Sequence, residues 1–338
     1  MEFVFNFTPT HNASASSNSD GPKVDWNAYN EYMAKTCGTQ DKAETEIFII
    51  SQIIDLGEHT QEDAKMEWKG TDEEKQAVIE KAKRGESQEY FEVLPDDKGV
   101  MTEYKRWPAR NQRMIAVMAD NPNRMLNKGQ FFGEEGEEMP MRMLLNNEWF
   151  IKGIGKVVNK MGFTTKEGRN DDGSYSLAPT NTLHKLAAAV DVLDGGKFKP
   201  QMLGKLIGKP ILVEQRVHVN KVGDKQYLNE KAVFKGSVPG MMKGMIPTLD
   251  VKHMSAISFY GEQNLEHVKN LRQSVINTMM QAVDFEKSTL RQALIEVGKI
   301  KADQVAPKAE STEPDATANK PEMAPPAVVD SFDDDLPF

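Results

Sequence analysis

Cysteine is almost absent from this chain, with Cys37 standing alone among 338 residues. One thiol builds neither a disulfide framework nor a cysteine zinc site, so a reducing, cytoplasmic setting is expected. Long apolar runs are missing as well. None approaches the ~18 residues of a membrane span, and residues 1–7 are too few for a signal peptide and include Glu2. No membrane partner is expected. The six histidines, at 11, 59, 184, 218, 253 and 267, form no His-x-x-x-His pair, and no compact carboxylate set stands out in the body. Phosphate-binding loops are incomplete too. Gly153-Ile154-Gly155 lacks its third glycine, because Val158 stands there. The stretch 204–209 is one residue short of a P-loop and is followed by Pro210 in place of Ser or Thr. No cofactor, no metal and no catalytic residue are expected, and the chain reads as a non-enzyme.

What is present is a charge asymmetry. The net charge is −9, yet residues 149–302 hold 23 basic and 14 acidic side chains, net +9. Residues 1–148 carry net −11 and residues 303–338 net −7. A basic middle between an acidic front and an acidic tail fits a nucleic-acid binder with a separate interaction tail.

Four segments follow from composition and patterning. Residues 1–45 form an N-terminal extension in which Trp26, Tyr29, Tyr32 and Met33 share helical spacing behind Asp25 as N-cap. Residues 46–260 form the main domain. Its first strand, 46–55, is mostly large and β-branched and ends at Leu56-Gly57. Thr71 and Glu74 make a capping box for a polar helix that runs to about Arg84 and ends at Gly85. Residues 89–94, 114–119 (ended by Asn121-Pro122), 139–150 and 251–260 read as further strands. The stretch 151–161, if helical, shows Lys152, Lys156 and Lys160 as a stripe. Asn181 or Thr182 caps a helix through Leu193, and 166–176 reads as a loop. Residues 261–302 read as a C-terminal helix packing on the body. Residues 303–338 are rich in Ala, Pro, Glu, Thr and Lys and read as a disordered acidic tail.

Two stretches carry nucleic-acid chemistry. Arg106, Trp107, Arg110 and Arg113 precede an apolar strand, and a guanidinium meets phosphate or stacks on a base while Trp offers a stacking face. In 203–237, Ile211, Val213, Val217 and Val219 alternate with Arg216 and His218. A polar turn at 221–225 then leads to a strand with Tyr227, Asn229 and Lys231 on one face. That hairpin presents a wet, basic and aromatic face, suited to single strands. The candidate DNA-binding residues are Trp107, Arg110, Arg113, Lys209, Arg216, Lys225, Tyr227, Lys231, Phe234 and Tyr260.

The tail runs Ser331, Phe332, Asp333, Asp334, Asp335, Leu336, Pro337, Phe338. Pro337 biases Leu336 toward an extended conformation, giving a short acidic peptide with an aromatic anchor for a basic, apolar-floored pocket on a partner. It resembles the acidic tip of bacterial single-stranded-DNA-binding proteins, usually Asp-Asp-Asp-Ile-Pro-Phe, with Leu336 in place of Ile. The stretches 50–60 (ISQIIDLGEHT) and 206–213 (LIGKPILV), the latter followed by His218 and Gly223–Tyr227, resemble a phage single-stranded-DNA-binding family over about half of residues 46–260. That resemblance implies an α+β protein, mainly β with added helices: an OB-like five-stranded barrel with helical insertions and a C-terminal helix. It implies a sequence-independent protein that coats single-stranded DNA in phage replication, recombination and repair in the infected bacterial cell. It places Lys209, Arg216 and Tyr227 near the DNA path. Through Asp333, Asp334, Asp335, Leu336, Pro337 and Phe338 the tip is expected to recruit a polymerase, primase-helicase or nuclease. The alternative is a strand-annealing or recombination-mediator protein. The sequence leaves homo-oligomerisation open.

Overall fold

The structure, a computed structural model, describes residues 25–39, 41–61, 63–96, 98–131, 138–151, 155–159, 162–223 and 225–303. The fold is α+β with mostly antiparallel sheets. Asp25 accepts from the amides of Asn27 and Ala28 and starts α1 (Trp26–Cys37). The helix buries Tyr29, Met33, Ala34 and Cys37 against the sheet, as its apolar stripe requires.

The main sheet is built on β1 (Glu44–His59). This strand is buried on both faces, which explains its run of apolar residues without alternation. It continues past Gly57 through a bulge between Asp55 and Glu58 rather than ending there. Gly57 has φ +85°, and a Cβ there would stand 2.5 Å from the Phe259 ring, so only glycine fits. Antiparallel to β1 lies β5 (Gln112–Leu126). It runs straight through Asn121-Pro122, where a strand end is expected from sequence. A register shift between Asn121 and Met125 takes up the proline, which cannot donate to the ladder. The partner of β5 is β6 (Met139–Leu144), and after a break at Leu145 and Asn146 the chain forms a separate hairpin of β7 (Asn147–Ile151) and β8 (Gly155–Asn159). The helical reading of 151–161, with its lysine stripe, is therefore overturned for the described residues.

On the other side of β1 lie β12 (Pro210–Val222) and then β13 (Lys225–Gly236). The order is β13-β12-β1-β5-β6. Among the described residues the ladders do not close into a barrel: Asn146, just past β6, meets Val233 of β13 at one isolated parallel bridge. The Asn146 amide donates to Ala232 O (2.6 Å), and Ala232 N donates back to the Asn146 side chain (2.9 Å). Beside that bridge the seam is held by side chains. Arg272 donates to the backbone oxygen of Arg142 and pairs with Glu230 at 3.3 Å. Arg142 grips the fully buried Asp120 at 2.8 and 2.9 Å.

Two cores flank the sheet. The first joins Phe48, Ile50, Val117, Met141, Val213 and Val217 to α1 and to α3 (Thr182–Ala189). Of the two expected candidates it is Asn181 that caps α3, and the helix stops short of Leu193. The second core sits on the opposite face of β1 and β5. It joins Ile54, Leu56, Ala116 and Met118 to the C-terminal part of the chain. The expected single C-terminal helix is three short ones, α4 (Leu265–Lys269), α5 (Gln273–Met280) and α6 (Thr289–Glu296). Their new starts are marked by Asn264 and Ser288, which cap α4 and α6. The expected strand at 251–260 shrinks to β14 (Ser255–Ile257), parallel to β1. The loop expected at 166–176 contains a small hairpin, β10 (Glu167–Arg169) with β11 (Tyr175–Leu177). The short strand β9 (Phe163–Thr164) pairs with β5.

Between β1 and β5 the chain makes an excursion. Here β2 (Ala64–Glu67), β4 (Met101–Trp107) and β3 (Tyr90–Pro95) form a three-stranded sheet with β4 in the middle. The helix α2 (Asp72–Lys83) has the full Thr71–Glu74 capping box and no buried residue. The strands β2 and β4 escape a reading based on apolar runs, because their residues are polar or half-exposed.

Candidate nucleic-acid interface

The β12–β13 hairpin alternates as its sequence demands. Ile211, Val213, Gln215 and Val217 are buried, while at the alternate positions Arg216 and His218 are half-buried and Asn220 is exposed. The register places Arg216 across from Lys231, His218 across from Asn229, and Asn220 across from Tyr227. One outward face thus carries two cations, an imidazole, two amides and an aromatic ring. Tyr227 lies two rungs along from the Arg216–Lys231 pair as a stacking surface. On the flank, Lys235 pairs with Glu214 at 3.2 Å. Lys225 opens β13, next to the turn at Gly223 (φ +60°), and its side chain is outside the described part.

The remaining sequence-predicted residues fall elsewhere. Phe234 is only partly exposed and packs against the first core, so the hairpin face does not include it. Lys209 is exposed at the start of β12, beside an open groove of about 490 Å³ that also has Lys243, Asp191, Val238 and Ile246 in its lining. Trp107 ends β4 with the Lys105 ammonium 5.9 Å from its ring centroid, and Arg110 is exposed in the loop that follows.

Arg113 and Tyr260 are brought together, but in a different role. The Arg113 guanidinium reaches Asp55 at 2.7 Å and Asp284 at 2.9 Å, and lies 5.6 Å from the Tyr260 ring centroid. Tyr260 donates its hydroxyl to Asp284 at 2.8 Å, which raises its pKa above the usual tyrosine value. Burial works against the Arg113 charge, and Asp55, Asp284 and Glu58 outweigh it, so its pKa rises. Arg113 ties β1 to the C-terminal part of the chain, and in this arrangement its planar group is spent on carboxylates, not phosphates.

Sequence reasoning missed Lys65, Tyr90 and Tyr104 in the excursion. The Lys65 ammonium lies 5.0 Å from the Tyr104 ring centroid, and Arg106 lies 5.7 Å from that of Tyr90. The signal was the alternation Thr102, Tyr104, Arg106 in a strand too polar to count as one. The tip, 331–338, lies outside the described residues. Among the described residues no group of three or more His, Cys, Asp or Glu side chains is arranged to hold a metal ion, and no helix is long and apolar enough to cross a membrane. Comparison with family models, with curated proteins and with solved structures returns no match for this chain.

Proposed function

We propose that this protein binds single-stranded DNA without sequence preference and does so through the outward face of the β12–β13 hairpin. The observation that carries the reading is the cross-strand set Arg216–Lys231, His218–Asn229 and Asn220–Tyr227 on one face. Cations follow a phosphate backbone, and a tyrosine ring stacks on any base, so the pattern is tolerant of sequence. The strand order adds support. The path β13-β12-β1-β5-β6, brought round by a parallel bridge from the end of β6 to β13, is the order an OB-type barrel uses. On that reading α3 falls between the third and fourth strands, and the β12–β13 hairpin supplies the fourth and fifth. The role is coating, in phage DNA replication, recombination and repair, with residues 333–338 recruiting partner enzymes. That part rests on the sequence resemblance alone.

The test is fluorescence-anisotropy titration of labelled oligo(dT) against a duplex of equal length at several salt concentrations. The single strand is expected to bind more tightly, with log K falling by roughly 0.7 per phosphate contact per decade of salt. Arg216→Ala and Lys231→Ala are each expected to make that slope shallower. Equal affinity for the duplex, or a slope untouched by both changes, sinks the reading.

A further inference from the structure

The excursion sheet has two unlike faces. Register puts Phe91, Val93, Glu103 and Lys105 on one of them. There α2 packs, with Lys75 paired to Glu103 and its ammonium 5.3 Å from the Phe91 ring centroid. The other face carries Lys65, Arg106 and Tyr90 in one cross-strand row and Glu67, Tyr104 and Glu92 in the next. Tyr90 is 39% exposed, among the more open aromatic side chains of the described residues. Its hydroxyl donates to Asp63 at 2.7 Å, which pins the ring by its rim and leaves the flat surface for contact.

We propose that this second face is a base-stacking platform for single-stranded nucleic acid, closed in the free protein by its own cations. The proposal rests on the single-strand reading above and extends it to a surface outside the barrel strands. Each ring is capped by one cation, Tyr104 by Lys65 and Tyr90 by Arg106. A cation over a ring is worth little at an exposed site. A base offers the ring a larger flat partner, and the displaced ammonium or guanidinium then meets the adjoining phosphate. Lys65 is exposed and suits that exchange, whereas the Arg106 guanidinium is also paired with Glu92 and donates to the Asp63 carbonyl oxygen (3.3 Å), so it gives up those partners when it turns toward a phosphate. Glu67 and Glu92 set its character. Two carboxylates in the Tyr104 row disfavour a phosphate directly over that ring, so the platform grips bases more than backbone.

The test uses the full chain and two lengths of oligo(dT), about 8 and about 30 nucleotides, the short one matched to a single barrel face. Tyr104→Ala and Tyr90→Ala are expected to weaken the long oligonucleotide by roughly 5- to 100-fold each, the range of one lost base stack. The short one should be unaffected and the salt slope of the long one unchanged. Tyr104→Phe should bind as the parent does, because the ring is kept. Ultraviolet crosslinking of the parent protein to oligo(dT) is expected to give adducts in peptides covering 64–67, 90–95 or 101–107, a readout independent of how the variants fold. Parent-like binding of the long oligonucleotide by both alanine variants, or adducts confined to the hairpin, overturns the platform while leaving the single-strand reading intact. Failure of the parent to bind either length overturns both.

Discussion

Lys128 is buried beside a small cavity of about 40 Å³ whose lining includes Gln52, Asp120, Arg142 and Arg272. Burial pushes its ammonium down to about 7. Glu230 opposes the shift, while Arg272 and Arg142 reinforce it. The unfolded chain holds that proton up to about 10.5, so between pH 7 and 10.5 the unfolded state binds more protons than the folded one. Stability therefore rises with pH across this window. Below pH 7 both states are protonated and the folded state bears the full penalty, about 5 kcal/mol at most from the size of the shift. Lys128→Met is expected to raise Tm at pH 6 by about 5 °C or more and to flatten the rise toward pH 9. Thermal melts of parent and variant at the two pH values check this, and a parent Tm that does not climb with pH refutes it. Arg113 teaches the complementary lesson about what a residue type shows. An arginine after Trp107 and Arg110 suggested phosphate binding, yet only the fold brings Asp284, far along the chain, to its guanidinium. The motif residues 53–59 are likewise structural: Asp55 accepts from Arg113 and from the Gly57 amide (3.0 Å), and His59 bonds the Leu56 carbonyl oxygen.

Elements with one wet and one dry face were legible in the sequence. The β12–β13 hairpin and α1 both follow from spacing, because burial on one side imposes a period of 2 or about 3.6. Caps at Asp25, Thr71 and Asn181 were legible for the same local reason. Tertiary decisions were not. That Pro122 could stay inside a long strand depends on the bulge opposite β6, and that 265–296 breaks into three helices depends on packing against Ile54, Leu56 and Phe259. Half of the candidate site was therefore visible. The hairpin face could be read from residues 211–231, whereas the excursion face needed the pairing of β4 with both neighbours. Two changes test the element-level account. Gly57→Ala is expected to cost about 2–4 kcal/mol, because it adds a positive-φ penalty to a clash with Phe259 and Ala282; denaturant unfolding measures it. Thr71→Ala removes the N-cap of a helix that buries nothing, at a cost of about 1 kcal/mol. Its effect is local, so amide exchange in 72–83 should speed up roughly fivefold while the global midpoint stays put.

Over the whole molecule, charge is divided in a way that bears on affinity. The chain is acidic overall, so on the proposed reading DNA would approach a net repulsive body and would be held by a locally basic segment, residues 149–302 at net +9. Residues 303–338 carry net −7 on the same chain, of which Asp330, Asp333, Asp334 and Asp335 supply four negative charges. Removing 330–338 leaves the basic segment untouched and lowers the negative field that DNA must overcome. The truncated chain is expected to bind oligo(dT) more tightly than the full chain at low salt, by several-fold. The advantage should fade as the Debye length shrinks to about 8 Å near physiological ionic strength. Replacing the three adjacent aspartates by asparagine should reproduce the effect, because charge and not length is responsible. Replacing Phe338 by alanine should leave DNA affinity unchanged. Anisotropy titrations of the four proteins at two salt concentrations decide it. If truncation and the asparagine variant match the full chain at low salt, the tail exerts no electrostatic control over DNA binding.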